Sequence, residues 1–319
     1  MATRRAILHL GTYKTGSSSI QNLCHANRGR LLRLGVLYPK SGLIKDAVIG
    51  HRHRNMIIPF MKGATSSYVI EPFKAELEAS PASSLIVSNE SWSHPRHMPM
   101  LGGFRAELED LGVDHVTGVA VFRRLVDYKV SHYREFTLRQ GNKIAYERYI
   151  LGTPGMFDYL FVARNFRAIF GADLQLLDYA ASEDSVAAFF AAAGLSELLP
   201  GLKPVPPANV RPIRALGTEA MRQANLEGLP REKGQAFLAR FRDEHPDLHA
   251  QDWTERETPE RPSYGSAYRR ALSQTLGWAP EAVERLLESR PIEGRPVSEA
   301  RPVIKRALKD WIATQETAV

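Results

Sequence analysis

His9-Leu10-Gly11-Thr12-Tyr13-Lys14-Thr15-Gly16-Ser17-Ser18-Ser19, following directly on the apolar run Ala6-Ile7-Leu8, reads as a buried strand, a glycine loop and the start of a helix. Gly11 and Gly16 keep the G-x-x-x-x-G spacing of a P-loop. In a Walker loop a lysine follows the second glycine and reaches the terminal phosphates, and the next hydroxyl holds Mg²⁺. Here Ser17 stands in the lysine's place, and the lysine lies inside the loop at Lys14. Backbone N–H groups of such a loop, with the positive end of the helix that starts near Gly16, bind a phosphate-like group whatever carries it. The displaced lysine therefore points to an anion held differently from the phosphates of ATP, and without a metal.

About a hundred residues on, His115-Val116-Thr117-Gly118-Val119-Ala120-Val121-Phe122 reads as a second kind of buried strand, running into Arg123-Arg124 and then an amphipathic stretch from Leu125 to Gln140. The two stretches together resemble the sulfotransferases that use 3′-phosphoadenosine 5′-phosphosulfate (PAPS). The loop of that family reads P-K-[ST]-G-[ST]-[ST], and Tyr13-Lys14-Thr15-Gly16-Ser17-Ser18 matches it with tyrosine in place of proline. The family's second signature is an arginine ending a strand and a serine eight residues later on the next helix, a spacing that Arg123 and Ser131 fit. The resemblance runs in order and spacing over residues 5–195. It implies a P-loop-type α/β fold, a parallel sheet flanked by helices, with PAPS as co-substrate, adenosine 3′,5′-bisphosphate as product and no metal. It also implies roles: Lys14, Thr15, Gly16, Ser17 and Ser18 on the 5′-phosphosulfate, Arg123 and Ser131 on the 3′-phosphate. An arginine fork and a hydroxyl two turns into the helix can converge on that phosphate, which ATP lacks.

Sulfuryl transfer to a hydroxyl or an amine needs a base for the acceptor's proton and a cation for the charge growing on the leaving nucleotide. Lys14 is the cation. In the resembled family the base is a histidine or a glutamate, commonly near the end of the strand after the loop helix or within that helix. Val87-Ser88-Asn89-Glu90-Ser91 puts Glu90 at such a strand end, with His51, His53 and His94 as alternatives. The competing role for a strand-end carboxylate is to cap the next helix or pair with an arginine. His51-Arg52-His53-Arg54, with Lys62, belongs to a basic stretch over 41–65 that reads as a loop or lid with a short helix. Its charge favours an anionic or polyhydroxylated acceptor such as a carbohydrate or glycolipid, and a small alcohol or phenol also fits. A His-x-His pair with no third ligand does not make a zinc site.

A length of 319 residues suits one large α/β domain, alone or with an appended helical part. The 44% hydrophobic and 24% charged content is that of a globular protein, and no apolar run approaches the ~20 residues that span a bilayer. The first strand begins within six residues of Met1, which leaves no room for a signal peptide and predicts a cytoplasmic protein. The single cysteine, Cys24, excludes an intramolecular disulfide and a cysteine metal site, and its place in the loop helix suggests a buried, inert thiol. A net charge of +7 suits an anionic ligand. The arginines are spread along the chain and no zinc-finger, RNA-binding or basic-zipper spacing occurs, which argues against nucleic acid.

The remaining pattern predicts a helix over 17–34 with Gly35 as its C-cap, an extended piece at 36–39, a helix over 72–79 and strands at 85–88 and 174–179. Residues 142–155 read as a loop, 158–170 as a helix and 183–193 as a helix ended by Gly194. Prolines at 200, 204, 206, 207 and 212 mark a linker, followed by helices near 214–226 and 231–244 and a polar stretch to 262. We expect an α/β core over 1–199 and a helical, loop-rich extension over 200–319. A bacterial branch of the resembled family carries a similar Pro/Asn linker and helical tail, to which Ala208-Asn209-Val210 is similar. Two other readings compete: an ATP-dependent P-loop kinase, which needs a lysine after Gly16, and a nonenzymatic nucleotide-binding module in which Glu90 is structural.

Overall fold

Runs such as Ala6-Ile7-Leu8 and Leu85-Ile86-Val87, apolar at every position, are what a strand covered on both faces requires. The computed structural model, which describes residues 4–44, 51–60, 67–182, 184–206, 214–257 and 264–316, places them at the centre of a parallel sheet. Its strands are β1 (Arg5–Gly11), β2 (Val36–Leu37), β3 (Ser84–Ser88), β4 (His115–Phe122) and β5 (Leu174–Asp178), in the order β2-β3-β1-β4-β5. Leu8 lies beside Val87 of β3 and Gly118 of β4, all parallel. The fold is the expected α/β class. Because β1 has β3 on one side and β4 on the other, the chain reverses its direction of winding there, and the crevice at the carboxyl ends of these three strands is where such sheets bind ligands.

Alternation sends Ile7, Ile86 and Val119 to one face, where Ile20, Leu23 and Cys24 of the helix Ser17–Ala26 and Phe189 and Phe190 of the helix Ser185–Ala192 cover them. Cys24 is fully buried and unpaired, and burial pushes its thiol up to about 12, which keeps it protonated and inert. On the other face Gly118 admits Phe170 of the helix Tyr159–Phe170, since a Cβ there would stand 2.8 Å from the ring.

Two expectations change. The helix over 17–34 is broken into Ser17–Ala26 and Arg28–Arg33. Asn27 makes the break by using its amide elsewhere: Nδ2 donates to the carbonyls of Leu23 (3.0 Å) and Lys203 (2.9 Å), while Oδ1 accepts from the Lys203 N–H (2.7 Å). Within 142–155 a helix forms at Tyr146–Gly152, because Tyr146 and Tyr149, three residues apart, are both buried. Gly35 does end its helix with a φ of 81°, and 41–65 contains the short 3₁₀ helix Arg54–Phe60. Lys62, Glu183, Pro207, Ala208-Asn209-Val210 and Pro212 lie outside the described residues.

The chain divides into two units. The first comprises Met1–Arg124, Asp158–Ala208 and Ser266–Leu286, and holds the sheet. The second comprises Leu125–Phe157, Asn209–Gly265 and Leu287–Val319. Its core joins Leu216, Ala220 and Ala224 of the helix Ala215–Leu226 with Phe237, Phe241, Ile304 and Trp311. Beside that core Glu219 is buried, and it accepts from Arg222 (2.6 Å), Gln223 (2.7 Å) and Arg301 (2.8 Å). Burial opposes its ionisation, but Arg222, with Arg301 and Gln223, outweighs burial and holds the carboxyl below its ordinary value. Among the described residues, no helix is long and apolar enough to cross a membrane, and no group of three or more His, Cys, Asp or Glu is placed to hold a metal ion.

Candidate functional site

The loop after β1 makes three left-handed turns, at Gly11 (φ 76°), Lys14 (φ 65°) and Gly16 (φ 83°). Lys14 is the one non-glycine with positive φ among the described residues, a conformation that disfavours an L side chain by about 1–2 kcal/mol. The surroundings hold it there. Thr15 Oγ1 donates to the Thr12 carbonyl (2.7 Å), the Thr12 N–H donates to the Val121 carbonyl at the end of β4 (2.9 Å), and Arg123 Nη1 donates to the Lys14 carbonyl itself (3.1 Å). Arg123 is in turn fixed: its guanidinium lies 5.4 Å over the Tyr179 ring and its carbonyl accepts from the Tyr159 hydroxyl (2.7 Å). Strain of this kind, retained by its surroundings, clusters at active sites and ligand clamps.

At the other end of the loop Gly16 sits at the N-cap of the helix Ser17–Ala26 and brings no side chain to it. The Ser19 N–H donates to the Gly16 carbonyl (2.9 Å), which leaves the earlier amides of the first turn to meet a ligand, and the field there favours an anion. Ser17 is buried and its Oγ has no hydrogen-bond partner, while Ser18 is half-buried. Amides, hydroxyls and a lysine form a donor set that fits a tetrahedral oxyanion.

Glu90 follows β3 and packs against the start of the loop, where a Cβ on Gly11 would stand 2.6 Å from Glu90 Cβ. The carboxylate is buried. Oε1 is paired with Arg52 Nη1, and Oε2 accepts from Gln21 Nε2 (2.8 Å), which also donates to Ser88 Oγ (3.1 Å). Burial alone would raise its proton affinity, but the Arg52 charge and the Gln21 hydrogen bond outweigh burial and hold the carboxyl below its ordinary value. Glu90 is therefore ionised at neutral pH. Tyr13, in the loop, hydrogen-bonds Ser91; burial pushes its phenol up to about 12, so it stays neutral.

The three histidines differ. His53 is fully committed: its Nδ1 accepts from the Ser88 N–H (3.1 Å), so the ring proton is on Nε2, which donates to the Pro39 carbonyl (3.0 Å). Neither nitrogen is left for an acceptor's proton, and burial lowers the group to about 4. His51 stacks on His25 with ring centroids 3.6 Å apart. His94 accepts from the Arg96 N–H through Nδ1 (3.2 Å), and burial, followed by His97 and Arg96, lowers it to about 4.

Ser131 lies on the helix Leu125–Arg139, in the second unit. The tyrosines on that helix, Tyr128 and Tyr133, are core residues. The same unit holds a cation that sequence reading passed over. Arg256 is buried, and its Nη1 donates to the Arg290 carbonyl (3.0 Å). Arg290 pairs with Asp127 (3.5 Å), one helical turn before Ser131. Arg256 Nε and Nη2, the edge of the guanidinium that grips an oxyanion with two parallel bonds, are buried without a partner. A lone arginine in a polar stretch carries no pattern, and only its burial distinguishes it.

No protein-family model matches the chain. No curated protein matches it. Among solved structures, a sulfotransferase from Alicyclobacillus acidocaldarius superimposes on 73% of this chain and 99% of its own, with 12% sequence identity and a TM-score of 0.40.

Proposed function

We propose that this protein is a sulfotransferase that moves the sulfuryl group of PAPS to a hydroxyl, or an amine, of an acceptor of the carbohydrate or glycolipid kind. The observation that carries the reading is the lysine within the loop: the Lys14 backbone is held in the left-handed region, and Arg123, the arginine of the second motif, donates to its carbonyl. In this reading the loop amides, Thr15, Gly16, Ser17 and Ser18 hold the 5′-phosphosulfate. Arg123 and Ser131 hold the 3′-phosphate. The acceptor oxygen forms a bond to sulfur as the bond from sulfur to the bridging oxygen breaks. Lys14 stabilises the charge that leaves with adenosine 3′,5′-bisphosphate, and Glu90 takes the acceptor's proton. The kinase reading lacks its lysine after Gly16.

Thermal unfolding with adenosine 3′,5′-bisphosphate, and in parallel with ATP and Mg²⁺, tests the nucleotide. At about 100 times its dissociation constant the bisphosphate adds about 2.7 kcal/mol of stability, an easily visible rise in Tm, and ATP adds much less. Stabilisation by ATP alone would instead place the protein with the kinases. A second expectation concerns Lys14: Lys14→Ala lowers turnover of PAPS by about 10²–10³-fold, the effect of losing one donor to a developing oxyanion, and weakens bisphosphate stabilisation. Intact turnover in that variant would remove the loop from the reaction.

A further inference from the structure

Basic residues in the stretch before Glu90 suggest, by sequence, a lid that meets the acceptor; the geometry gives one of them a different task. We propose that Arg52 is a positioning residue that fixes the Glu90 carboxylate with a single acceptor direction free, and that His53 is the bracket that holds Arg52 in place. The inference rests on the reading of Glu90 as the base.

A carboxylate offers about four acceptor directions. Among the described residues three are used: Arg52 Nη1 on Oε1, Gln21 Nε2 on Oε2 and the main-chain N–H of Glu90 itself. The two side-chain donors approach different oxygens from different elements, so the carboxylate plane cannot turn without losing one. Arg52 reaches this place because its neighbour is tied to the end of β3. The His53 N–H donates to the Ser88 carbonyl (2.8 Å), the Ser88 N–H donates to His53 Nδ1, and His53 Nε2 closes the bracket on the Pro39 carbonyl. Residue 88 is only two positions before Glu90. A histidine used in this way explains why both of its nitrogens are engaged and why it stays neutral.

Among the described residues, Arg52 acts electrostatically on Glu90, and Glu90 acts on His9 on β1, Tyr13 in the loop and Tyr38. Burial keeps His9 neutral above about 4 and Tyr13 neutral to about 12, and holds the Tyr38 phenol well above its ordinary value. Near pH 7 Arg52 is therefore the charged member of this set. Without it only the Gln21 and main-chain hydrogen bonds oppose burial, the carboxyl keeps its proton to higher pH, and a protonated carboxyl cannot accept another. The sign follows: removing Arg52 moves Glu90's titration upward and raises the pH below which turnover falls.

The experiment follows Arg52→Met and Arg52→Lys in the full chain by three readouts: the pH dependence of kcat with PAPS, the ¹³C shift of the Glu90 carboxyl assigned with Glu90→Gln, and stabilisation by adenosine 3′,5′-bisphosphate. In Arg52→Met the carboxyl titrates at higher pH and kcat falls more at pH 6 than at pH 8, by about tenfold for each pH unit that the solution lies below the displaced titration. Bisphosphate stabilisation is unchanged, and Arg52→Lys, which keeps the charge, retains most of the wild-type pH profile. Because a lone buried carboxylate can unfold the protein, the neutral pair Arg52→Met with Glu90→Gln is measured too. If Arg52 acts through Glu90, its kcat equals that of Glu90→Gln alone. A carboxyl titration unchanged in Arg52→Met, a loss of kcat equal at all pH, or additive losses in the double variant overturns the proposal. If the bisphosphate fails to stabilise the wild type, the sulfotransferase reading falls instead, and the carboxyl titration still judges the pair.

Discussion

Glu90→Gln lowers PAPS turnover by about 10²–10⁴-fold, the range for loss of a general base, and leaves stabilisation by adenosine 3′,5′-bisphosphate at its wild-type size. The substitution keeps the shape and removes the charge. The amide that replaces the carboxylate still offers Arg52 an oxygen. Gln21 can rotate its own amide so that its oxygen meets the N–H introduced at position 90, while Ser88 Oγ donates instead of accepting. The neighbouring loop is unaffected, since Gly11 packs on the Cβ and Cα of residue 90 rather than on the carboxylate. Some stability is lost with the charge-assisted hydrogen bond, about 1–3 kcal/mol. The comparison of turnover with binding decides the matter. Full turnover in Glu90→Gln would make the carboxylate structural and leave the protein a nucleotide-binding module or an enzyme with another base. Equal loss of turnover and of bisphosphate binding would mean that residue 90 shapes the loop rather than the reaction.

The parts that sequence makes legible are those determined by local apolar runs and by glycine. β1, β3 and β4 fall where continuous apolar residues place them, and β4 spans His115–Phe122 as expected. Gly11, Gly16 and Gly35 all take the positive φ that their places before and after helices require. Contacts between distant segments leave no such mark. The break at Asn27 depends on Lys203, 176 residues away. The helix Tyr146–Gly152 depends on two tyrosines finding a core, and its seven residues are too few to show a period. Arg52 looks like a solvent-facing lid residue because its carboxylate partner lies 38 positions later. Glu90 is legible as a strand-end acid, whereas its ionisation is not, since that is set by Arg52 and Gln21 from two other elements.

The loop's own test is Gly16→Ala, which abolishes turnover and reduces the ~2.7 kcal/mol of bisphosphate stabilisation below detection while the sheet remains folded. Two penalties act at this position. The φ of 83° is a left-handed conformation that disfavours a Cβ by about 1–2 kcal/mol. The new methyl would also overlap Ser185, whose Cβ would be 2.8 Å from it, and overpacking of this kind costs about 1–3 kcal/mol more. The helix Ser185–Ala192 cannot retreat easily, because Phe189 and Phe190 anchor it in the core under the sheet. The loop therefore moves, and its movement pulls the Lys14 carbonyl from Arg123 and redirects the first-turn amides. Strain is relieved at the site and not in the core, which is why binding is lost before the fold. Two companion variants separate the causes. Ser185→Gly added to Gly16→Ala removes the overlap and leaves the backbone penalty, and Gly16→Asn keeps the overlap with a residue that tolerates positive φ. Recovery of bisphosphate stabilisation in the first pair assigns the loss to packing, and recovery in Gly16→Asn assigns it to backbone conformation. A Gly16→Ala protein that still binds the bisphosphate and turns over PAPS would show that the anion is held somewhere other than this loop.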